Sequence, residues 1–377
     1  MVGSAAPVFP GFEVDISDHV RDSEKPDAVW HRERAREMLH AHPEIKALFG
    51  KSPLTAGWCL LMSGSQIALA AAMSGFPWWV TIVTAYCVGT LLNITLFQLA
   101  HECDHLLVFK SKFWNRYLFT LTSLPMFLFA HHTWWTEHIV HHNDMSATKD
   151  FITRRRSYFL ATRRTSPLFI PYSLFMVVAQ VLRSALGLVV YVFTSLLRGR
   201  LQPNRFALSV LADTHLISGY EEDRITKWAV VYPALSFLMC ASLFWYGGWM
   251  PLIYLALSQV FFTGYLHPYC LGWVLGISHF HGRRHYQPTA SNYGWLVNLT
   301  TFNAGLHVEH HDIAGIPWFR LRKLRTLAPE FFDPLEPIRS YTLLALQFVF
   351  AGNDRFEENF NAEMHRNIER FPESQKT

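Results

Sequence analysis

The chain is poor in charge. Of its 377 residues only 16% are Asp, Glu, Lys or Arg, against roughly 25% in an average soluble protein. Half are hydrophobic, so the shortfall points to burial in lipid and argues against two or three soluble domains. Paired cysteine spacing is also missing. The five cysteines stand at 59, 87, 103, 240 and 270, four of them inside apolar segments, which excludes a disulfide framework. The first 50 residues lack the apolar core of a signal peptide, so insertion would begin at the first transmembrane helix with the N-terminus cytoplasmic. No internal repeat or low-complexity tract is present. The formal charge of +4 is clumped at Arg154, Arg155, Arg156, Arg163, Arg164, Arg198 and Arg200. These arginines flank apolar helices rather than a polar domain, which disfavours nucleic acid as a partner and suits a cytoplasmic membrane face.

Long apolar runs and aromatics are what the chain does have, including 30 Phe, 13 Trp and 14 Tyr. Residues 29–49 form an expected amphipathic helix broken at Pro43, after an irregular arm. Apolar spans follow at about 53–74, 78–100, 228–247 and 250–273, each long enough to cross a bilayer, which takes about 20 residues. Two shorter stretches, 113–130 and 168–197, are interrupted by proline or polar residues and read as re-entrant or interfacial. The expected organisation is an N-terminal cytosolic arm and helix (1–50), a membrane domain (51–335) and a C-terminal cytosolic segment (336–377).

Three histidine clusters stand near these runs, the first directly at the end of the second span: His101-Glu-Cys-Asp-His105, His138-Ile-Val-His141-His142 and His307-Val-Glu-His310-His311. The spacings i, i+3 and i+4 put imidazoles on one helix face. Eight clustered imidazoles exceed the four ligands of a tetrahedral zinc site and suit two metal ions with open positions. Two crossings precede the first cluster and two separate the second from the third, so all three can meet on one cytoplasmic face. His279, after the fourth span, is the expected ninth ligand, with His281 its alternative. Asn303, Asp104, Asp144 and Asp312 adjoin clusters and are candidate holders of a metal-bound water or acceptors of an imidazole N–H. Trp295 and Trp318 flank the third cluster and are candidates for the mouth of a substrate tunnel. The first cluster also spells H-E-x-x-H, the zinc-protease pattern with Glu102 as base. That competing reading leaves six clustered histidines unexplained. A non-catalytic metal-binding membrane protein is the further alternative.

The clusters together resemble the membrane fatty acid desaturase superfamily. His42-Pro-Glu-Ile-Lys-Ala-Leu48, Phe113-Trp-Asn-Arg116, Leu266-His-Pro268 and above all Thr301-Phe-Asn-Ala-Gly-Leu-His-Val-Glu-His-His-Asp312 with Ile316-Pro317 resemble its sphingolipid Δ4-desaturase (dihydroceramide desaturase) branch. The likeness runs from about residue 29 to 335 and departs from the pattern in three places. Ile16-Ser-Asp-His19 stands where Tyr-Thr and Glu-Pro-His are usual, Leu306 and Val308 replace Tyr and Asn, and Gly276 to Tyr293 aligns poorly. The resemblance implies an all-α integral membrane protein with four transmembrane helices, interfacial helices and a cytosolic His-rich di-iron cap. It implies two irons on His101, His105, His138, His141, His142, His279, His307, His310 and His311, O2 as co-substrate, and Δ4 desaturation of dihydroceramide to ceramide. No His-Pro-Gly-Gly haem motif is present, so electrons would come from a separate donor such as cytochrome b5. Endoplasmic reticulum is the location the family implies, or an inner membrane in a bacterium. A di-iron lipid hydroxylase, or a desaturase of another acyl lipid, is the alternative from the same site.

Overall fold

The computed structural model describes residues 27–127, 222–279 and 287–350, together with His138, His141, His142 and six positions between Val178 and Leu197. The expected arm at 1–26, the arginine clusters, Asp144 and His281 lie outside the described residues, as do the side chain of His279 and most of 168–197. The six positions in that stretch, among them Leu182, Val189 and Phe193, are helical with exposed side chains.

The described residues are helical and contain no strand. Helix α1 (Asp27–Ala41) stops ahead of Pro43 and passes into a 3-10 turn, Pro43–Leu48, as the missing amide of proline requires. Helix α2 (Leu54–Ala72) and the long rod from Trp78 to Asp104 are each apolar and long enough to cross a membrane. That rod is helix α3 (Trp78–Thr84), a π-turn at Ala85–Gly89, and helix α4 (Thr90–Asp104). The π-turn loosens the backbone ladder. Thr90 Oγ1 donates to the Ala85 carbonyl at 2.9 Å and Gln66 Nε2 to the Gly89 carbonyl at 3.1 Å. Gly89 is required there, since a Cβ would sit 2.0 Å from Ser258 Oγ.

Helix α5 (Lys112–Ser123) starts at Ser111, whose hydroxyl accepts from the Trp114 amide, and ends in a 3-10 turn containing Pro125. Its exposed Phe113, Trp114 and Tyr117 lie opposite buried Asn115, Arg116 and Phe119. Helix α6 (Glu222–Gly247) has a described apolar stretch of Ala234–Gly247, too short to cross alone. The span expected at 250–273 is not one straight rod. Helix α7 (Trp249–Thr263) and helix α8 (Pro268–His279) meet at a bend of 42°. Proline at the head of α8 removes an amide donor, and His267 Nδ1 accepts from the Tyr269 amide instead.

Buried amides join the apolar helices. Tyr254 OH donates to Gln66 Oε1 at 2.9 Å, Gln66 Nε2 to Asn93 Oδ1 at 2.9 Å, and Asn93 Nδ2 to Gln259 Oε1 at 3.1 Å. With no water in a bilayer core, each of these groups needs a protein partner. The chain ends in helix α9 (Trp295–Thr300), helix α10 (His307–Asp312), helix α11 (Leu321–Leu327), helix α12 (Pro329–Phe332) and helix α13 (Tyr341–Phe350). α13 lies on α8, where Gly272 and Gly276 let the backbones approach.

Candidate metal centre

Helix α4 carries His101 and His105 at its last turn, one turn apart. The left-handed Leu106 (φ 58°) then ends the helix. The following loop is held by Asn115, whose Oδ1 accepts from the Val108 and Phe109 amides while its Nδ2 donates to the Phe109 and Ser111 carbonyls. Asp104 takes the Arg116 guanidinium at 2.9 Å, so it anchors α5 rather than an imidazole.

Helix α10 has six residues, too few to persist alone. Tertiary contacts hold it. Ser291 Oγ accepts from the Val308 amide at 2.9 Å and donates to Glu309 Oε2 at 2.6 Å. Burial pushes the Glu309 carboxyl up, and the Ser291 hydroxyl opposes that shift. Ahead of α10, Phe302 (φ 49°) and Asn303 (φ 59°) are both left-handed, a costly conformation for a phenylalanine that persists only where the surroundings enforce it. Asn303 Nδ2 donates to the Trp318 carbonyl at 3.0 Å and its Oδ1 accepts from Arg322 Nε at 3.1 Å. The residue singled out as a holder of metal-bound water is therefore engaged in locking this turn. Trp318 also donates its amide to Glu102 Oε2 at 3.3 Å and its indole N–H to Thr55 Oγ1 at 3.2 Å.

The structure brings the three clusters together. His101, His105, His138, His142 and His310 each present a ring nitrogen within 4.8 Å of the others, and His141, His307 and His311 form a second such group. The groups touch, since the His142 and His311 rings stack at 4.2 Å. Each group mixes clusters: His310 joins the first, whereas its neighbour His311 joins the second. Burial first, and then repulsion by neighbouring rings, holds His105, His138, His142, His310 and His311 well below the ordinary histidine range. These rings are neutral and can offer lone pairs. Nε2 of His142, His310 and His311 is buried without a hydrogen-bond partner, at a cost of about 1–3 kcal/mol for each such group. A pair of divalent ions fits this donor set. His279 ends α8, and its side chain lies outside the described residues.

Asp312, a candidate acceptor of an imidazole N–H by its place beside the third cluster, takes such a bond from His31, a partner on α1 that no local pattern announces. Helix α1 docks on the third cluster through Asp312. His31 Nδ1 bonds Asp312 Oδ1 at 2.6 Å, Arg34 reaches Asp312 Oδ2 through Nη2 at 3.0 Å and Nε at 3.2 Å, and His31 Nε2 bonds Thr289 Oγ1 at 3.0 Å. The His31 ring lies 5.3 Å from that of His311. Asp312→Ala leaves Arg34 the Phe331 carbonyl but no counter-charge, and is expected to cost roughly 3 kcal/mol, read as a lower melting temperature and early proteolysis within α1. Asp333→Ala, which breaks the exposed Arg325 pair, should change stability by less than about 1 kcal/mol.

A small, partly open cleft reaches both groups, lined by His101, His138 and His310 of the first and His141 and His307 of the second. Phe97, Trp273, Phe302 and Trp318 form its apolar walls, and Gln98, Glu102 and Asn303 are among its polar residues. Trp318, expected at a tunnel mouth, lines this cleft, while Trp295 is 72% exposed and away from it.

Comparison with known proteins agrees with this geometry. The fatty acid desaturase family profile matches residues 77–342, and the sphingolipid Delta4-desaturase profile matches residues 22–54, the segment containing α1. A sphingolipid delta(4)-desaturase-like protein of Oryza sativa subsp. japonica is 28% identical over 85% of this chain and 86% of its own. A sphingolipid delta(4)-desaturase of Schizosaccharomyces pombe is 28% identical over 86% of this chain and 83% of its own. A sphingolipid delta(4)-desaturase/C4-monooxygenase of Homo sapiens is 27% identical over 85% of this chain and 88% of its own.

Proposed function

Because the chain belongs to the fatty acid desaturase family, we propose that it is an oxidoreductase forming the Δ4 double bond of a sphingolipid long-chain base, converting dihydroceramide to ceramide. The observation that carries this reading is the pair of imidazole groups at the end of an apolar span, beside a cleft walled by aromatic rings. His101, His105, His138, His142 and His310 would hold one iron, and His141, His307 and His311 the other, with His279 as a ninth ligand. The bound irons would supply O2-dependent oxidation of an unactivated methylene pair. Overall, two C–H bonds break and one C=C bond forms. O2, two donor electrons, two protons and the two hydrogens removed end as two waters. Cytochrome b5 is the kind of external donor required.

The protein's own residues place the chain and keep the site dry. Phe97, Trp273, Phe302 and Trp318 offer an apolar slot for a saturated chain, and fixing one C–C pair beside the ligands supplies the orientation that the reaction needs. The Asp312 latch to α1 and the Ser291 contact to Glu309 hold α10 in place. Four crossings are proposed: α2, the α3–α4 rod, α6 and the bent α7–α8 pair. They put the histidines on the cytosolic face of the endoplasmic reticulum.

Sphingolipid mass spectrometry of cells lacking their own Δ4-desaturase and supplied with this chain tests the reading. Appearance of Δ4-unsaturated ceramide is expected, and unchanged dihydroceramide would refute it. The double activity in the human relative's name favours a second product to look for, the C4-hydroxylated base from the same site.

A further inference from the structure

Gln98 differs from the other buried amides of the apolar helices. Gln66, Asn93 and Gln259 are hydrogen-bonded to one another, and Asn303 in the same cleft has both polar atoms engaged. Gln98 is 7% exposed, lines the cleft, and makes no side-chain hydrogen bond among the described residues. A polar side chain within an apolar span is costly, and its position ordinarily reflects a use. Gln98 precedes His101 by three residues and His105 by seven, which puts it on the histidine face of α4, about 5 Å below His101. The rings of Phe97, Trp273, Phe302 and Trp318 line the same cleft. Among the polar residues of the cleft, Glu102 and Asn303 are engaged by Trp318 and Arg322, which leaves Gln98 as the amide available a helical turn from the metal ligands.

A saturated acyl chain has nothing to offer that amide. A long-chain base does. Its carbon 3 carries a hydroxyl directly beside carbon 4, one of the two carbons joined by a Δ4 double bond. The hydroxyl can donate to the Gln98 carbonyl or accept from its NH2 group, and both partners are neutral. We propose that Gln98 is a specificity-determining residue that binds the 3-hydroxyl of the lipid, fixes the 4,5 carbon pair against the ligands, and discriminates against plain acyl chains. This inference rests on the sphingolipid reading above.

The test compares a dihydroceramide with its 3-deoxy analogue on wild-type, Gln98→Leu and Gln98→Met protein in lipid nanodiscs. Equilibrium binding is measured on metal-free protein and Δ4 product on iron-loaded protein. Wild type is expected to bind the hydroxylated lipid roughly tenfold to a hundredfold more tightly, since leaving a buried amide unpaired forfeits that much. In both variants the ratio should fall to within about threefold, with iron content unchanged. Absence of a preference in wild type overturns the proposal, as does a preference that survives both substitutions or a loss of binding equal for the two lipids. Wild-type preference needs no variant, so it decides the matter even if Gln98→Leu fails to fold. Failure of wild type to desaturate either lipid would refute the sphingolipid reading itself, an outcome separate from the binding ratio.

Discussion

His310→Ala is expected to abolish desaturation and to lower bound iron. His310 Nε2 is buried without a hydrogen-bond partner, and its ring lies 4.6 Å from both His101 and His105 and 5.1 Å from His142. Removing it takes away the contribution of the third cluster to the group of five. Residues that merely orient a ligand are worth about 10–100-fold in metal affinity or activity, so loss of a ligand should exceed a hundredfold. His138→Ala should match it, because the second cluster supplies that group with His138 and His142. Product formation by mass spectrometry and iron by elemental analysis read the two effects together. Full turnover with full iron in either variant would remove the proposed site. A zinc protease built on the first cluster would behave oppositely, failing on Glu102→Gln and tolerating His138→Ala. Glu102 accepts the Trp318 amide, the engagement of a carboxylate that ties two segments together.

Gly272→Ala, a change of one methyl group, is expected to cause a large loss of stability. A Cβ on Gly272 would lie 1.6 Å from the Tyr341 carbonyl oxygen, a backbone atom of α13 that no side-chain rotation can move away. The two helices must separate, which also opens the packing of Gly276 on the Tyr341 ring. Overpacking ordinarily costs about 1–3 kcal/mol, and a clash with backbone belongs at or above the upper end of that range. Gly276→Ala should cost less, since its close neighbours at 2.6 and 2.9 Å are side-chain atoms of Tyr341 and Ile338. Gly57→Ala is the control. Nothing lies within 4 Å of its Cβ position, and alanine is favoured over glycine in a helix by roughly 1 kcal/mol. Thermal unfolding in detergent should therefore rank Gly57→Ala at or above wild type, Gly276→Ala below it and Gly272→Ala lowest. An unchanged melting temperature for Gly272→Ala would show that α13 does not pack on α8 as described.

The histidine clusters were legible because their chemistry is local. Spacing of i, i+3 and i+4 on a helix fixes which way imidazoles point, whatever the rest of the chain does. The first two apolar spans were legible for the same reason, as long runs without charge, and so was the stop ahead of Pro43. The bend between α7 and α8 was less so. Hydropathy averaged over a window passes smoothly across Gly264 and Pro268, although proline at 268 was the available signal. Only the fold separates Gln98 from Asn93. Both are amides on one helix, and one has partners on α2 and α7 while the other faces a cleft.

The sequence by itself determined that this protein is helical and rich in apolar spans, and that it carries eight imidazoles in three one-sided sets. Tertiary structure alone decided that those sets divide as five and three, with His310 and His311 in different groups. It alone placed His31 and Arg34 on Asp312, 281 and 278 residues away, and brought Tyr341 against Gly272. Helix periodicity is a property of neighbouring residues, so a sequence displays it directly. The partner of a buried carboxylate, a bare ring nitrogen or a missing Cβ is chosen by packing between distant segments, and no local pattern encodes it.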